Sequence, residues 1–428
     1  MTGVHPVEVA VDPAVASVEI FLDGESIGIA TAPRWQVQCN FGKRLQPHEL
    51  AAVAHDPEGL ELGRAYQLVN LPRADAEVKI VLEEGGAGAR NMLRVVAESK
   101  ERLEPLAVFV TVDGVPLRRS GDGRFMLPDH DPRQVHIVGA EAHFPDGISA
   151  RADVTVGGTY GSRVTTELTA VPIVTERRKR LAPADLQGLL RVRGEPVPVA
   201  AIEQPGARIY VVRDHETWPA LRRTGYAVDQ RSIGTRGRFW RRLGETGAHP
   251  ETSVEIPADK DRFYLVVPNP TRSRGLALFP IIEPFQVKRY GMPWLSTHIL
   301  SPEASVTGQR LAEAVAVAGV RAVGGGCPRA VVLVLSEGAV DRGSFQPEAV
   351  REYLHALRVP LVVWSTDGGQ VVTDWGPVED VSSEGSLNKA SKRLLKELGR
   401  QWIVWVEGRH LPSDIELNPE VQGIRLAG

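Results

Sequence analysis

The first 174 residues alternate apolar and polar positions in short runs that are separated by turn residues. In 18–42 the runs flank Asp23-Gly24, a dipeptide that is typical of two-residue hairpin turns. A second pair of runs follows around a turn at 55–59. Short alternating runs with frequent turns and no helical period predict antiparallel β-sandwich structure.

This pattern occurs twice along the chain. Asp113-Gly114 takes the place of Asp23-Gly24, and the turn at 143–147 takes the place of the turn at 55–59. The spacing from Asp23 to Asp113 is 90 residues, the size of one immunoglobulin-like module. No acidic cluster with the spacing of a calcium loop accompanies the Asp-Gly pairs, so we interpret them as turns.

The predicted domain organisation follows from these repeats and from a change of pattern after them. We predict immunoglobulin-like β-sandwiches in residues 1–86 and 90–174, and a linker in 175–200 that contains the basic run 177–180. Residues 201–428 are predicted to form one α/β domain.

The α/β prediction depends on strands that are apolar without alternation. Such runs occur in ARIYVVRD, RFYLVVPN, RAVVLVLSEG, PLVVWSTDG and QWIVWVEG, and they are typical of parallel strands buried on both faces. Segments with helical spacing, such as TGQRLAEAVAVAGVRAV and SLNKASKRLLKELGR, lie among them. This alternation predicts a doubly wound sheet with right-handed crossovers, a Rossmann-type architecture.

Composition narrows the classes of function and the location. The formal net charge is −3, so no bulk electrostatic attraction to nucleic acid or to an anionic membrane is expected. The two cysteines, Cys39 and Cys327, fall in different predicted domains, so a disulfide framework is not expected. No apolar run reaches the roughly 18–20 residues of a membrane span, and the first residues lack a signal-peptide pattern. Two locations stay open: the cytoplasm, or secretion or the periplasm after removal of a signal peptide.

The C-terminal half resembles a known family. The order of strands and helices, together with the LSEG and VPLVVWS strands, is similar to the von Willebrand factor type A domain. The chain as a whole resembles the bacterial VWFA-related proteins, which place immunoglobulin-like modules beside a divergent A-type domain.

The resemblance implies a metal-ion site with altered ligands. In the family, the first strand ends in Asp-x-Ser-x-Ser, a threonine precedes a helix, and Ser-Asp-Gly follows a later strand. Asp214 matches the first aspartate, Glu216 and Trp218 replace the serines, Gln309 replaces the threonine, and Glu337 replaces the later aspartate. Divalent cations of this kind need oxygen ligands, and an indole supplies none.

We therefore predict a degenerate metal site with no cofactor, whose five residues mark a binding face. The alternative is that the carboxylates of Asp214, Glu216 and Glu337 still hold Mg²⁺, Ca²⁺ or Mn²⁺.

A second candidate interface combines arginines with aromatic residues. Its members are Arg231, Arg236, Arg238, Phe239, Trp240, Arg241 and Arg242. Three interpretations stay open: an exposed loop and helix over the sheet, a protein interface anchored by Arg and Trp, or contact with single-stranded nucleic acid.

The sequence offers no convincing catalytic set. The glycines 324–326 close a helix and no GK[ST] follows them, which argues against a phosphate loop. GxSxG and HExxH patterns do not occur. We therefore predict a non-enzymatic protein–protein interaction or scaffolding protein that works with another protein in a larger complex. The alternatives are a metal-dependent hydrolase or adhesion module, and a nucleic-acid-associated module that uses 231–242.

Overall fold

The computed structural model of the protein describes residues 1–70, 76–83, 92–99, 104–128, 136–144, 149–156, 168–176, 181, 183–215, 217, 261–273, 276–286, 308–324, 326–368, 374–421 and 423–428. In this part of the chain the strands form eight sheets, most of them antiparallel. Within the same ranges, no helix is long and apolar enough to cross a membrane.

The first unit is a β-sandwich. Its strands are β1 (Val4–Glu8), β2 (Ser17–Leu22), β3 (Glu25–Ala30), β4 (Gln36–Asn40), β5 (His48–His55) and β6 (Glu61–Val69). β1 pairs with β4, and the other four form a sheet in the order β3-β2-β5-β6. Side chains from both sheets, such as Ile20 and Cys39, share one buried core.

The second unit is also a β-sandwich. Its strands are β7 (Ala76–Glu83), β8 (Met92–Ser99), β9 (Ala107–Val112), β10 (Val115–Pro116), β11 (Phe125–Met126), β12 (His136–His143) and β13 (Ser149–Val156). They form sheets in the orders β11-β8-β7 and β10-β9-β12-β13. Leu93 and Ala140 belong to the core that these sheets enclose. The two predicted sandwiches are therefore present, each as a pair of packed sheets.

The same turn occurs in both sandwiches. Asp23 and Asp113 have φ angles of 53° and 49°, and the glycine after each also has positive φ. Both central residues of a type I′ hairpin turn need such angles, so the predicted Asp-Gly turns are confirmed. In each turn the aspartate Oδ2 lies beside a histidine Nδ1, at 2.6 Å for His48 and 2.7 Å for His136. The structure thus adds a matching histidine pair to the repeat.

The next four strands along the chain are β14 (Leu168–Thr175), β15 (Leu190–Val192), β16 (Glu195–Pro196) and β17 (Val199–Glu203). They belong to a third unit, which is described below.

A mostly parallel sheet follows these strands. The sheet contains β18 (Arg208–Arg213), β19 (Arg262–Val266), β22 (Ile281–Gln286), β23 (Arg329–Leu335), β24 (Leu361–Ser365) and β25 (Val378–Asp380). A small ribbon, β20 (Thr271–Ser273) with β21 (Leu276–Leu278), is separate. The order is β22-β19-β18-β23-β24-β25, and only β22 is antiparallel to its neighbour.

Helices cover both faces of this sheet. They are α1 (Leu311–Val323), α2 (Pro347–Ala356) and α3 (Glu384–Leu398). On β18, Tyr210 and Val212 face the core that contains α1 and α2, whereas Ile209 and Val211 face the core that contains α3. Because successive side chains of a strand point to opposite faces, burial on both sides explains the unbroken apolar runs.

The start of α3 is fixed by a capping box. The Ser383 hydroxyl accepts a hydrogen bond from the backbone N–H of Ser386 at 3.1 Å, and the Ser386 hydroxyl accepts one from the N–H of Ser383. We expect Ser383→Ala to lower the free energy of unfolding by about 1 kcal/mol, because an N-terminal donor of the helix loses its acceptor. Urea denaturation followed by circular dichroism measures this loss. Ser382→Ala is the control, and an equal loss in both variants would contradict the assignment.

A third β unit is assembled from two distant parts of the chain. After α3 come β26 (Gln401–Glu407), β27 (Ile415–Leu417) and β28 (Ile424–Leu426), with short 3₁₀ turns at Pro183–Leu186 and Pro412–Asp414. These strands pair with the earlier ones in the orders β17-β26-β14-β28 and β16-β15-β27. Val171, Leu190 and Val404 share its core. The α/β sheet is therefore inserted between the two halves of this unit.

Strand pairing differs from the predicted ranges in several places. β7 lies within predicted range 1–86 but pairs with β8 of the second sandwich. β14 lies mostly within predicted range 90–174 but pairs with β26 and β28. The predicted linker 175–200 contains β15 and β16, and the described part of it is folded into the third unit. The basic run 177–180 lies outside the described residues.

β26 shows how strand pairing crosses the predicted range 201–428. Its sequence, QWIVWVE, predicts a strand buried on both faces, and the strand is so buried. However, Trp402 packs on the core of the third unit, while Trp405 packs on a core shared with Ile137 of the second sandwich. An apolar run shows burial on both faces but not which elements supply the cover.

A buried ion cluster joins the second sandwich to the amino ends of the parallel strands. Glu141 of β12 is 6% exposed and forms ion pairs with Arg208 of β18 and with His143. Its Oε1 lies 3.8 Å from Arg262 Nη1 at the start of β19. Burial raises the pKa of Glu141, but the charges of Arg208, His143 and Arg262 more than offset it and hold this pKa well below its ordinary value.

A second charged group lies next to the first. Arg151 of β13 donates to Asp153 at 2.7 Å and to Glu203 of β17 at 3.2 Å. Trp405 Nε1 also donates to Glu203, at 3.0 Å, and the Arg151 guanidinium lies 5.5 Å from the Trp405 ring centroid. Burial raises the pKa of Glu203, an effect that Arg151 partly offsets. The second sandwich and the third unit are thus joined by buried polar contacts.

Candidate functional site

The candidate site lies where two neighbouring parallel strands end. When its six strands are numbered from 1 to 6 in chain order, beginning with β18, their order across the sheet is 3-2-1-4-5-6. The chain therefore continues from β18 toward one side of the sheet and from β23 toward the other side. In open α/β sheets, ligands bind beyond the carboxyl ends of the strands at this switch point. Asp214 directly follows β18, and Ser336 directly follows β23. The sheet therefore brings these two side chains together.

Asp214 is completely buried, and each of its carboxylate oxygens accepts hydrogen bonds. Gln309 Nε2 donates to Oδ1 at 2.7 Å. Ser336 donates to Oδ2 from its hydroxyl group and, at 3.3 Å, from its backbone N–H. The backbone N–H of Asp214 donates to the Val334 carbonyl at 2.9 Å. Donors on both oxygens compensate the loss of water around a buried carboxylate.

Gln309 is also completely buried, and its partners fix the orientation of its amide. Nε2 donates a second hydrogen bond to the Val340 carbonyl at 2.7 Å, and Oε1 accepts one from the His215 backbone N–H at 3.3 Å. A carboxylate and a carbonyl oxygen only accept, so both must face the amide nitrogen. The opposite orientation would place the amide oxygen against two acceptors.

The loop after β23 is held against the start of α1. Asp341 accepts hydrogen bonds from the backbone N–H groups of Leu311 and Ala312, both at 2.9 Å, which satisfies donors at the helix N-terminus. The Ser344 backbone N–H and hydroxyl donate to Glu313 at 2.7 and 3.0 Å. This loop therefore keeps a defined position over the sheet.

Above the buried network, two exposed carboxylates face the solvent. Glu337 follows Ser336, and its backbone N–H donates to Asp367 Oδ2 in the loop after β24. The Thr366 hydroxyl donates to the same oxygen at 3.2 Å. Val340 is exposed nearby in sequence. We call Glu337, Val340 and Asp367 the acidic rim; it presents two carboxylates and one apolar side chain on braced loops.

The described residues of this site do not fit a divalent cation. Mg²⁺ and Ca²⁺ bind the lone pairs of several oxygens, whereas both oxygens of Asp214 already accept hydrogen bonds from Gln309 and Ser336. Gln309 turns N–H groups, not an oxygen, toward the carboxylate. Among the described residues, no three His, Cys, Asp or Glu side chains are placed to hold a metal ion.

The structure brings part of the predicted site together. Asp214 and Gln309 are in contact, and both are completely buried, so they support the surface from below and do not form it. Glu337 is exposed at the same edge of the sheet. Glu216 and Trp218 lie outside the described residues. So does the whole Arg/Trp-rich segment, that is Arg231, Arg236, Arg238, Phe239, Trp240, Arg241 and Arg242.

Two residues of the site were not predicted. Ser336 supplies a donor to Asp214, and Asp367 links the loops after β23 and β24. Ser336 directly follows β23 in LSEG, and Asp367 lies two residues after the end of β24 in WSTDG. Their position at the carboxyl ends of parallel strands was the available signal.

A cavity of about 210 Å³ lies near the opposite ends of the parallel strands, where β23 and β24 begin. Ala330, Val362 and Leu394 contribute to its apolar lining. The charged groups at its border are paired, Arg393 with Glu379 at 2.8 Å and Arg425 with Glu397 at 3.2 Å. Because its charged side chains already pair with one another, this cavity offers few polar groups to a ligand. The switch-point edge is therefore the better candidate site.

Comparison with solved structures finds partial likenesses to fibronectin-III modules. The central fibronectin-III array of RIM-binding protein is 14% identical, with 47% of this chain and 82% of that chain covered and a TM-score of 0.20. The fibronectin(III)-like modules of Clostridium thermocellum CbhA are 15% identical, with 39% and 91% covered and a TM-score of 0.16.

A third likeness is to the Bacteroides ovatus protein SGBP-B, solved in complex with a mixed-linkage heptasaccharide. It is 16% identical, with 46% of this chain and 51% of that chain covered and a TM-score of 0.13. No protein-family profile matches the chain, and no curated protein matches it. At these scores, the strand pairing described above remains the basis for the fold.

Proposed function

We propose that the protein is a non-enzymatic protein–protein interaction or scaffolding protein built on a degenerate von Willebrand A-type domain with immunoglobulin-like β modules. The strand arrangement 3-2-1-4-5-6 supports the A-type part. So does the position of Asp214 and Ser336 at the ends of neighbouring strands, where the resemblance places the metal-site residues. The β-sandwiches in 4–69 and 76–156 support the modular part.

The observation that carries this proposal is the environment of the Asp214 carboxylate. Its carboxylate is buried and hydrogen-bonded by Gln309 and Ser336, so it offers no open position to a metal or a substrate. In the described part of the switch-point edge, the side chains of the acidic rim are exposed to solvent. Two exposed carboxylates, with an exposed apolar side chain three residues after Glu337, suit a protein partner that brings basic side chains to an apolar contact.

Charge reversal on the acidic rim tests the proposal. We expect Glu337→Lys with Asp367→Lys to weaken capture of the partner by roughly tenfold or more, because like charges would then face each other. The measurement is quantitative mass spectrometry of proteins retained by the immobilised full chain from cells of the native organism.

The matched control is Glu25→Lys with Glu58→Lys, which reverses two exposed carboxylates on the first sandwich. The proposal requires a protein that is retained by the wild type and the control but lost with the rim variant. Equal retention by all three chains would show that the acidic rim is not the binding surface.

A further inference from the structure

The cavity near the beginning of β23 and β24 is enclosed by three parts of the structure. Its apolar wall includes Ala330 and Val362 from the parallel sheet, Ala390 and Leu394 from α3, and Val174 from β14 of the third unit. These side chains are hydrocarbon, and the two alanines leave space that a larger side chain would fill. The wall therefore offers van der Waals contact to an apolar ligand.

Gln401 of β26 also borders the cavity, but its amide is already hydrogen-bonded at both ends. Its Oε1 accepts a hydrogen bond from the Arg329 backbone N–H at 2.9 Å, and its Nε2 donates one to the Arg329 carbonyl at 3.2 Å. A buried water needs about two to four polar partners, and an apolar cavity without such partners takes up hydrocarbon in preference to water. This wall therefore favours the apolar part of a ligand.

The charges at the border of the cavity are not evenly balanced. Glu379 pairs with Arg393 at 2.8 Å. Glu397, in contrast, is shared: its Oε1 accepts a hydrogen bond from Arg400 Nη1 at 3.3 Å, and its Oε2 accepts one from Arg425 Nη2 at 3.2 Å. In these ion pairs of the described residues, two guanidinium groups share one carboxylate. Positive charge is therefore in excess on this side of the border, and an anionic group of a ligand would balance it.

Arg425 can contact a ligand without leaving a carboxylate unpaired. Its side chain is 61% exposed, and Glu397 keeps Arg400 as a partner when Arg425 turns toward the cavity. An exposed ion pair contributes little to stability, so its exchange for a ligand costs little. A carboxylate matches the fork of a guanidinium group, whereas a ligand amine would be repelled by it. The excess charge therefore selects an anionic ligand.

We propose that this cavity binds a small molecule with an apolar body and one carboxylate. The apolar body fills the space between α3 and the strands, and the carboxylate lies at the border beside Arg425. An apolar cavity of about 150 Å³ takes up benzene, so about 210 Å³ accommodates one ring or a short hydrocarbon chain. The acidic rim lies at the other ends of the strands, so this inference does not depend on the proposed function.

Calorimetric titration of the full chain with octanoate tests the ligand class. We expect saturable binding of one octanoate per chain. The dissociation constant of 1-octanol, which has the same chain without the charge, should be about threefold higher, because a partly exposed charge contact adds a modest amount to affinity. Octylamine, a cation at neutral pH, should bind more weakly than both. Absence of saturable octanoate binding, or binding of the alcohol or the amine as tight as that of octanoate, overturns the proposal.

Two substitutions that fill the cavity test its location. Ala390→Leu places a larger side chain in the space, so the dissociation constant of octanoate is expected to rise by about tenfold or more. Ala330→Val narrows the cavity from β23, should raise the constant by about threefold, and serves if Ala390→Leu does not fold. Ala14→Leu, the same change at an exposed alanine before β2, is the control. Octanoate affinity that neither cavity variant changes would overturn the proposal.

Arg425→Gln tests the position of the carboxylate. It removes the excess guanidinium group and leaves Glu397 paired with Arg400, so octanoate should bind about threefold more weakly while 1-octanol binding stays unchanged. Arg393→Gln is the matched control, because Arg393 also borders the cavity but is balanced by Glu379. A preference for octanoate that survives Arg425→Gln, or that is lost in the control instead, would overturn the placement beside Arg425.

Discussion

Replacing Glu141 with glutamine is expected to lower the free energy of unfolding by about 3–5 kcal/mol. The change keeps the shape of the side chain but removes the negative charge that Arg208 and Arg262 face in a buried place. Breaking a buried ion pair on one side is costly because the remaining charge stays away from water without a partner. Urea titration of the full chain, followed by tryptophan fluorescence and circular dichroism, measures the loss in the transition that contains the junction.

Glu379→Gln provides the control for Glu141→Gln. It removes a carboxylate that Arg393 meets at 2.8 Å in a partly exposed pair, for which about 0–1 kcal/mol is expected. Equal losses in the two variants would show that the junction around Glu141 is solvated and does not hold the second sandwich to the parallel sheet.

The dependence on pH gives the Glu141 experiment a second readout. The pKa of Glu141 lies well below its ordinary value in the folded protein, so the folded state binds fewer protons than the unfolded state in acid. The stabilisation is therefore fully present above the ordinary glutamate pKa of about 4.3 and declines as the pH falls below it. The difference between wild type and Glu141→Gln should shrink over that acidic range. A difference that stays constant between neutral and acidic pH would contradict the ionised pair.

The repeat and the parallel strands could be predicted because their signals are local. A type I′ turn needs residues such as Asp23-Gly24 at two adjacent positions, and a strand buried on both faces needs a continuous apolar run. The partners of β7, β14 and β26 could not be predicted in the same way. Pairing depends on surfaces that meet only in the folded chain, so an apolar run fits a parallel sheet and the centre of a third β unit equally well.

The hydrogen bonds at the site were harder to predict than the residues that form them. The resemblance marked Asp214 and Gln309, but it implied an altered metal site, and the direction of the hydrogen bonds between them is set by Val340 and His215. The junction around Glu141 gave no signal at all, because Glu141, Arg208 and Arg262 are distant in sequence and charged residues are usually solvated. Burial of charge is a property of tertiary packing.

The second large effect concerns Asp214. We expect Asp214→Asn to lower the free energy of unfolding by about 2–4 kcal/mol, because one buried donor, from Gln309 or from Ser336, would face an amide N–H instead of an oxygen. Ser336→Ala should have a smaller effect, since Asp214 would keep Gln309 and the backbone N–H of residue 336. Urea unfolding of the full chain measures both variants.

An experiment with a chelator then distinguishes two roles of Asp214, a hydrogen-bonded carboxylate and a metal ligand. The donors to Asp214 belong to the protein, so the loss in Asp214→Asn should be the same in EDTA and in millimolar Mg²⁺, Ca²⁺ or Mn²⁺, and these ions should not stabilise the wild type. A ligand that binds only the folded state stabilises it in proportion to the logarithm of its concentration, so a bound cation would raise wild-type stability and make the loss depend on the ion. That outcome would restore the metal-dependent alternative with Asp214, Glu216 and Glu337, because a carboxylate cannot give the same lone pairs fully to Gln309 and Ser336 and to a cation.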